Sequence, residues 1–302
     1  MKRFLTAISL VLAAFLACTA IAQPAKPVDG EMVRLQIDKL WKISYQVNAP
    51  IYDSQQIASG FESPAISPDG SNVLFFKRGK FGEPHHILQW SADAPKAREI
   101  LTDSELSGYV SWQSDNEFSV REFSTPFLKN GADRHFELAS KSPVLKQRKL
   151  RKDAQLVAYD ADDVIILENA DNQTLQAISD IRADRYFAPI VSPDGRFVVF
   201  NGLSTGIHVF DIEQNAVVFI GSHGSAPAFS PDGRYLVYAN TRDNGHQITS
   251  GDLVLVDLNT HAYRYISNPN HEIRVRASLS RDAAYISYQT VDNRIFRARL
   301  TP

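Results

Sequence analysis

Ala228-Phe229-Ser230-Pro231-Asp232-Gly233-Arg234-Tyr235-Leu236-Val237-Tyr238 is one of three stretches in which Ser-Pro-Asp-Gly precedes a run of apolar strand-forming residues. The other two read Ala65-Ile66-Ser67-Pro68-Asp69-Gly70-Ser71-Asn72-Val73-Leu74-Phe75-Phe76 and Ile190-Val191-Ser192-Pro193-Asp194-Gly195-Arg196-Phe197-Val198-Val199-Phe200. In such a turn proline fixes φ at the second position, serine bonds the turn backbone, and glycine suits the fourth position. Each copy therefore predicts a strand, a tight turn and a second strand. The aspartates Asp69, Asp194 and Asp232 are interpreted as structural turn residues.

Weaker copies of the same unit fill the rest of the chain. Their turns contain Asp115, Asp162 and Asp282, each ahead of another apolar run. A period of roughly 40–50 residues, with enough chain for four strands, is typical of a propeller blade. Six units predict an all-β fold, a six-bladed β-propeller.

The ends of the repeat indicate how the ring closes. The sixth unit stops after its third strand, at residues 295–300, and so lacks an outer strand. Residues 51–58 precede the first unit as residues 263–267 precede the sixth. We therefore expect this N-terminal strand to complete the last blade, which removes the free sheet edges.

The N-terminus is typical of an export signal. Lys2 and Arg3 precede an apolar run at residues 4–17, and Ala20-Ile21-Ala22 forms a small-x-small cleavage site. These features predict a cleaved signal peptide at residues 1–22, an N-terminal extension at residues 23–50 and the propeller at residues 51–302. The mature protein is then periplasmic or secreted. Cys18 leaves open the alternative of a lipoprotein.

The composition excludes several classes of function. Cys18 is the only cysteine, so the mature chain has no disulfide and no thiolate metal site. The 32 basic and 34 acidic residues, with two of the basic ones in the signal, argue against a nucleic-acid partner. Nothing after residue 22 could span a membrane. A phosphate-binding glycine loop, a His-Glu-x-x-His motif and a twelve-residue calcium loop are all missing, so the sequence indicates no cofactor and no metal.

The Ser-Pro-Asp-Gly repeats resemble those of the TolB-like propeller family, which are exported six-bladed propellers. The resemblance covers about residues 51–302 and implies the blade type. It says little about activity, because the repeat occurs in binding proteins, in gating domains of peptidases and in some polysaccharide lyases. The Gly-x-Ser-x-Gly elbow of the peptidase relatives does not occur in this chain.

Blade topology separates two faces of the disc. The repeated turns lie on one, which we call the turn face; the loops between second and third strands, and the connections between blades, lie on the other, the loop face. Variable loops on a rigid scaffold usually carry binding. The predicted binding residues ring the channel mouth on the loop face: Glu62, Tyr109, Arg185, Tyr186, His223 and Arg274. Weaker candidates on the same face are His85, His86, His246 and His271.

Two functions remain open at this stage. The first is an exported binding module or scaffold that docks a cell-envelope protein, a peptide or a glycan at the loop face. The second is a propeller lyase or hydrolase acting on a saccharide or a small ester, with histidines that could hold a metal. No catalytic residue can be named from the sequence.

Overall fold

The computed structural model describes residues 51–94, 96–122, 131–139, 142–150, 154–171, 173–221, 223–268 and 270–300. The predicted signal peptide, Cys18 and the extension at residues 23–50 lie outside these ranges. No helix in the described part of the chain has the length and apolarity needed to cross a bilayer.

Six antiparallel sheets form the six blades of a β-propeller, as predicted. The first sheet contains β2 (Glu62–Ile66), β3 (Asn72–Lys77), β4 (His85–Ser91) and β5 (Arg98–Asp103). The second contains β6 (Leu106–Trp112), β7 (Glu117–Glu122), β8 (Ala132–Glu137) and β9 (Val144–Leu150). The third contains β10 (Leu156–Ala161), β11 (Val164–Asn169) and β12 (Thr174–Ala177). The fourth contains β13 (Tyr186–Val191), β14 (Phe197–Gly202), β15 (Gly206–Asp211) and β16 (Ala216–Gly221). The fifth contains β17 (Gly224–Phe229), β18 (Tyr235–Asp243), β19 (Ile248–Asp257) and β20 (Ala262–Tyr265). The sixth contains β21 (Arg274–Leu279), β22 (Tyr285–Thr290), β23 (Arg294–Leu300) and β1 (Ile51–Ser59).

The sixth blade closes the ring in the predicted way. Strand β1 pairs antiparallel with β23, from Ile51 opposite Leu300 to Ser59 opposite Arg294. The first strand of the described chain thus lies beside its last strand. The third sheet departs from the expected pattern, since it has three strands among the described residues rather than four.

Apolar side chains fill the spaces between neighbouring blades. One buried cluster joins the first and second sheets through Phe76, Trp112 and Phe118. Comparable clusters join the third sheet to the fourth, the fourth to the fifth, the fifth to the sixth, and the sixth to the first. Because strand side chains alternate between faces, each central strand can contribute to the core on both sides.

The repeated turns are held by one hydrogen-bond pattern. In the fourth sheet Ser192 Oγ donates to Asp194 Oδ1 over 2.5 Å and accepts the backbone N–H of Phe197 over 2.9 Å. Asp194 Oδ1 also accepts the N–H of Arg196 over 3.2 Å. The turns of the first, fifth and sixth sheets repeat these contacts. That these aspartates serve the turns alone stays a prediction.

Candidate functional site: the channel and its loop-face mouth

A cavity of about 910 Å³ runs through the propeller along its central channel. Its walls are built mainly from the innermost strands of five sheets, β2, β6, β13, β17 and β21, with further side chains from β7 and β8 of the second sheet. It extends from Pro193 and Pro231 in the repeated turns to Leu203 and Val291 in connections on the loop face. This volume lies within the range of roughly 300–1,000 Å³ that is usual for ligand pockets.

The five strands that line the cavity share a local distortion. Each has a break in its register with the second strand of its sheet, whereas β10 of the third sheet pairs regularly. In three of them a residue before proline has a positive φ: Ser63 (52°), Ala188 (54°) and Ala226 (49°). Such backbone is unfavourable for non-glycine residues and is often found at functional sites. The distortions form a ring in the half of the channel nearer the loop face, because innermost strands begin on that face.

Large exposed apolar side chains surround the mouth. Tyr109, Phe187, Leu203 and Val291 are 37%, 42%, 60% and 46% exposed, and all four line the cavity. We call these four residues the apolar rim. They come from the second, fourth and sixth blades, so that the rim encircles the opening. Exposed apolar residues gathered at a concave site are typical of interaction surfaces.

The cavity also has a polar wall on the second sheet. Phe118 and Val120 of β7 pack toward the first sheet, so the alternate residues Ser119 and Arg121 face the other way. Arg121 and the β8 residues Asp133 and His135 line the cavity. Arg121 Nε lies 3.9 Å from Asp133 Oδ1.

The environment of His135 favours its neutral form. Burial, followed by the charge of Lys149, lowers the pKa of His135, and these effects outweigh the carboxylates of Asp133 and Glu117. The polar wall therefore combines an ion pair with an uncharged imidazole near neutral pH.

Arg276 of β21 is the third charged residue among the described residues that line the cavity. Its Nη1 donates to Ser63 Oγ of β2 over 2.5 Å, across the boundary between the sixth and first blades. The charged residues of the cavity wall, among those described, are thus two arginines and one aspartate.

Of the six predicted binding residues, Tyr109 lines the cavity. Tyr186 and Arg274 are instead buried in the core. Tyr186 is 5% exposed, packs edge-on against Phe200 and His208, and has its pKa raised to about 12, mainly by burial. Arg274 is 1% exposed; it donates to the Ser267 carbonyl over 2.8 Å and lies over the ring of Tyr288. These two side chains support the blades rather than offer surface to a partner.

The other three predicted residues are more accessible but do not appear in the cavity wall. Glu62 is partly exposed at the start of β2. Arg185 is exposed, and its Nε lies 3.4 Å from Asp163 Oδ2. His223 is exposed with a φ of 58°.

The weaker histidine candidates lie on separate blades, apart from one adjacent pair. His85 Nδ1 accepts the backbone N–H of Gly79 over 3.0 Å, while His86 Nδ1 is 2.9 Å from Glu99. His246 and His271 are exposed in connections of the fifth sheet and between blades. Across the ranges that the structure describes, no group of three or more His, Cys, Asp or Glu side chains is arranged to hold a metal ion.

Sequence reasoning missed most of the residues that line the mouth. Phe187, Leu203, Val291 and Arg276 share no motif, and they meet only because the ring brings distant segments together. One signal was present: the residues before proline in Ser63-Pro64, Ala188-Pro189 and Ala226-Pro227 stand at equivalent positions of three units. That spacing marks the distorted segments of the inner strands.

No known family model and no curated protein matches the sequence. Among solved structures, TolB from Acinetobacter baumannii is similar over 78% of this chain, with 13% identity and a TM-score of 0.45. The chain spans 64% of the length of that TolB chain. A chain in the structure of the Mitotic Checkpoint Complex is similar over 86% of this protein and 97% of its own length, with 11% identity and a TM-score of 0.50.

At identities this low, similarity establishes the fold alone. The structure shows six blades around a central channel, closed by a strand from each end of the described chain. By architecture, the chain is a six-bladed β-propeller, the fold that its resemblance to the TolB-like propellers implies.

Proposed function

We propose that this protein is an exported, non-enzymatic binding module that docks a segment of a cell-envelope protein in the loop-face mouth of its channel. The apolar rim is the observation that carries the proposal. Four large apolar side chains are exposed to water and also line the cavity of about 910 Å³. A partner that covered them would remove this apolar surface from water, which is favourable by roughly 25 cal/mol per Å².

The arrangement has the composition of a protein-binding site. Aromatic and arginine side chains are enriched at interaction hot spots, and the mouth offers Tyr109 and Phe187 at the rim with Arg121 and Arg276 inside. An extended peptide segment could place apolar side chains on the rim and polar groups against the inner wall. A glycan would make less use of the exposed Leu203 and Val291.

Export rests on the N-terminal sequence. Lys2, Arg3, the apolar run and the Ala20-Ile21-Ala22 site support cleavage after Ala22 and a periplasmic or secreted location. N-terminal sequencing of the protein made in a bacterial host would test this. A chain that begins at a lipidated Cys18 would contradict it.

The binding proposal can be tested with two variants that change the same four residue types to serine. The rim variant changes Tyr109, Phe187, Leu203 and Val291 to serine. The control variant changes one exposed residue of each matching type away from the cavity, with exposures of 40%, 108%, 49% and 51%: Tyr265, Phe81, Leu175 and Val144. Both variants and the wild type are used to capture proteins from an envelope extract, and the captured protein is then purified and titrated directly.

We expect the wild type and the control variant to capture the same protein and to bind it with similar affinity. The rim variant should bind it at least tenfold more weakly while keeping its thermal midpoint. If the control variant loses the partner and the rim variant keeps it, the docking surface lies elsewhere.

A further inference from the structure

We propose that Arg276 binds a carboxylate of the docked peptide, so that the channel recognises an acidic group at the depth of the distorted inner strands. This inference rests on the proposed function and names the chemistry of the same site. It requires an available cation, a fixed position for that cation, and a charge that matches one carboxylate.

Arg276 is the available cation. Its guanidinium donates to the Ser63 hydroxyl, and within the described residues no carboxylate oxygen lies within 4.0 Å of it. The two other charged residues of the cavity wall, Arg121 and Asp133, lie against each other. Arginine has five N–H donors in a planar fork, so one bond to Ser63 leaves donors for a bidentate acceptor.

The sixth blade fixes the position of this cation through Ser63. Gln289 lies directly opposite Arg276 in the register of β21 and β22. Its Oε1 accepts the backbone N–H of Ser63 over 2.9 Å, while Arg276 holds the hydroxyl of the same serine. Gln289 is in turn bonded through Nε2 to Asn293 Oδ1 over 2.8 Å. Arg276 and Gln289, which are paired in the sixth blade, therefore both hydrogen-bond to Ser63 of the first blade.

Gly108 of the second blade packs closely against Ser63. A Cβ atom on Gly108 would lie 2.6 Å from Ser63 Oγ and 2.9 Å from Ser63 Cβ. No larger residue fits there unless Ser63 moves. Ser63 is 8% exposed and has a φ of 52°, a conformation that surrounding contacts must maintain. Ser63 is thus a rigid support that orients the guanidinium, that is, a positioning residue.

The charge of the site selects the ligand class. Among the described residues of the cavity wall, Arg121 and Asp133 carry opposite charges that lie 3.9 Å apart, and the remaining charge is the positive one of Arg276. A carboxylate is a planar monoanion that matches both this charge and the geometry of a guanidinium fork. The rim lies at the mouth of the same cavity, so an apolar residue next to a carboxylate can occupy both features at once. A C-terminal carboxylate and an Asp or Glu side chain offer the same chemistry.

Three sets of fluorescent tetrapeptides distinguish the sources of the carboxylate. The first set lacks Asp and Glu and has free C-termini; the second has the same sequences with C-terminal amides; the third is amidated and contains one Glu. Each set is selected on the mature wild-type protein, and the best binders are titrated by fluorescence anisotropy. We expect the first or third set to bind at least tenfold more tightly than the second, and the preferred set identifies a terminal or a side-chain carboxylate.

Variants then connect the preference to Arg276. Arg276→Gln should remove the preference over the amidated peptides, whereas Arg281→Gln, on the exposed turn face, should not. Ser63→Ala should reduce the ratio of the two affinities, a readout that general loss of stability would not move. Thermal melts of each variant check folding.

The outcomes separate the two proposals. Peptides that bind equally well with and without a carboxylate, or binding that the rim variant loses and Arg276→Gln retains in full, would overturn the carboxylate inference and leave the docking site standing. If no peptide of any set binds the wild type, both proposals are overturned.

Discussion

Ile51 lies directly opposite Leu300 in the sixth sheet, so a strand from the start of the described chain completes the blade that its end begins. This pairing closes the ring and leaves no gap between the last blade and the first. Deleting residues 51–59 should therefore expose the outer edge of β23 and abolish the single cooperative unfolding transition. The measurement is calorimetry, with a chain that begins at residue 51 as the control.

A sharp transition in the chain without β1, at a midpoint within a few degrees of the control, would show that this strand is dispensable for closure.

Gly70 has two separate reasons to be glycine. Its φ is 76°, and a Cβ atom there would lie 2.5 Å from Tyr285 Cδ2 of the sixth blade. Gly82 has a similar φ of 82° but open space around the Cβ position. Gly82→Ala should cost about 1 kcal/mol through backbone strain alone. Gly70→Ala should cost that amount plus the displacement of Tyr285.

Denaturant unfolding of the two alanine variants measures the difference. Equal losses would mean that the contact between the first and sixth blades is soft and contributes little.

The serine of each repeated turn should matter more than the aspartate. Asp194→Ala removes an exposed acceptor and should cost about 1 kcal/mol. Ser192→Ala removes a buried hydroxyl that both donates to Asp194 and accepts from the Phe197 N–H, so it should cost roughly 2 kcal/mol. Free energies of unfolding from urea titrations give both values. Neither variant should change partner binding, and a stable Asp194→Ala protein without binding would contradict the structural role.

Local chemistry explains why the fold could be predicted from the sequence. The Ser-Pro-Asp-Gly turns depend on residues within five positions of one another, such as Ser230 and Tyr235, so their geometry can be read from the repeat. Blade number and ring closure follow from counting the units. The third sheet, with three strands among the described residues, was predicted less well: its turn aspartate Asp162 lies about 32 positions before Asp194, the shortest spacing in the repeat, which leaves less chain for a fourth strand.

The site was less predictable because it depends on contacts between distant residues. Ser63 and Arg276 are 213 positions apart and meet only where the first and sixth blades touch. Topology placed Tyr186 and Arg274 near the mouth, but it could not show whether their side chains point into the channel or into the core. The register of β13 and β21 and the rings of Phe200 and Tyr288 decide this.

The burial of Arg274 changes what its substitution should do. Arg274→Ala removes the contact with Tyr288 and the bond to the Ser267 carbonyl. It also removes one of the two arginines beside the buried Glu272, whose Oε1 still lies 3.8 Å from Arg294 Nη1. We expect a loss of about 3 kcal/mol in the free energy of unfolding. Partner binding per folded molecule should stay unchanged. A variant with wild-type stability and no partner binding would show that Arg274 contacts the partner directly.

His208 should make the stability of the propeller depend on pH. Its side chain is 4% exposed, and burial lowers its pKa from 6.5 to about 4, against the opposing effect of Asp184. Thr205 Oγ1 donates to Asp184 over 2.6 Å, so its oxygen accepts the His208 Nε2–H over 2.7 Å. The folded protein therefore holds a neutral imidazole.

Between pH 6.5 and pH 4 the unfolded chain binds a proton at His208 that the folded protein does not bind. Stability accordingly falls as the pH drops through this window, by about 2 kcal/mol between pH 7 and pH 5.

His208→Gln keeps an amide donor for Thr205 and removes the titration, so its free energy of unfolding should change less over the same interval. His246→Gln, at an exposed histidine, is the matched control and should behave like the wild type. Guanidinium titrations at the two pH values give the comparison, and a His208→Gln variant that loses as much stability as the wild type would show that other groups cause the acid sensitivity.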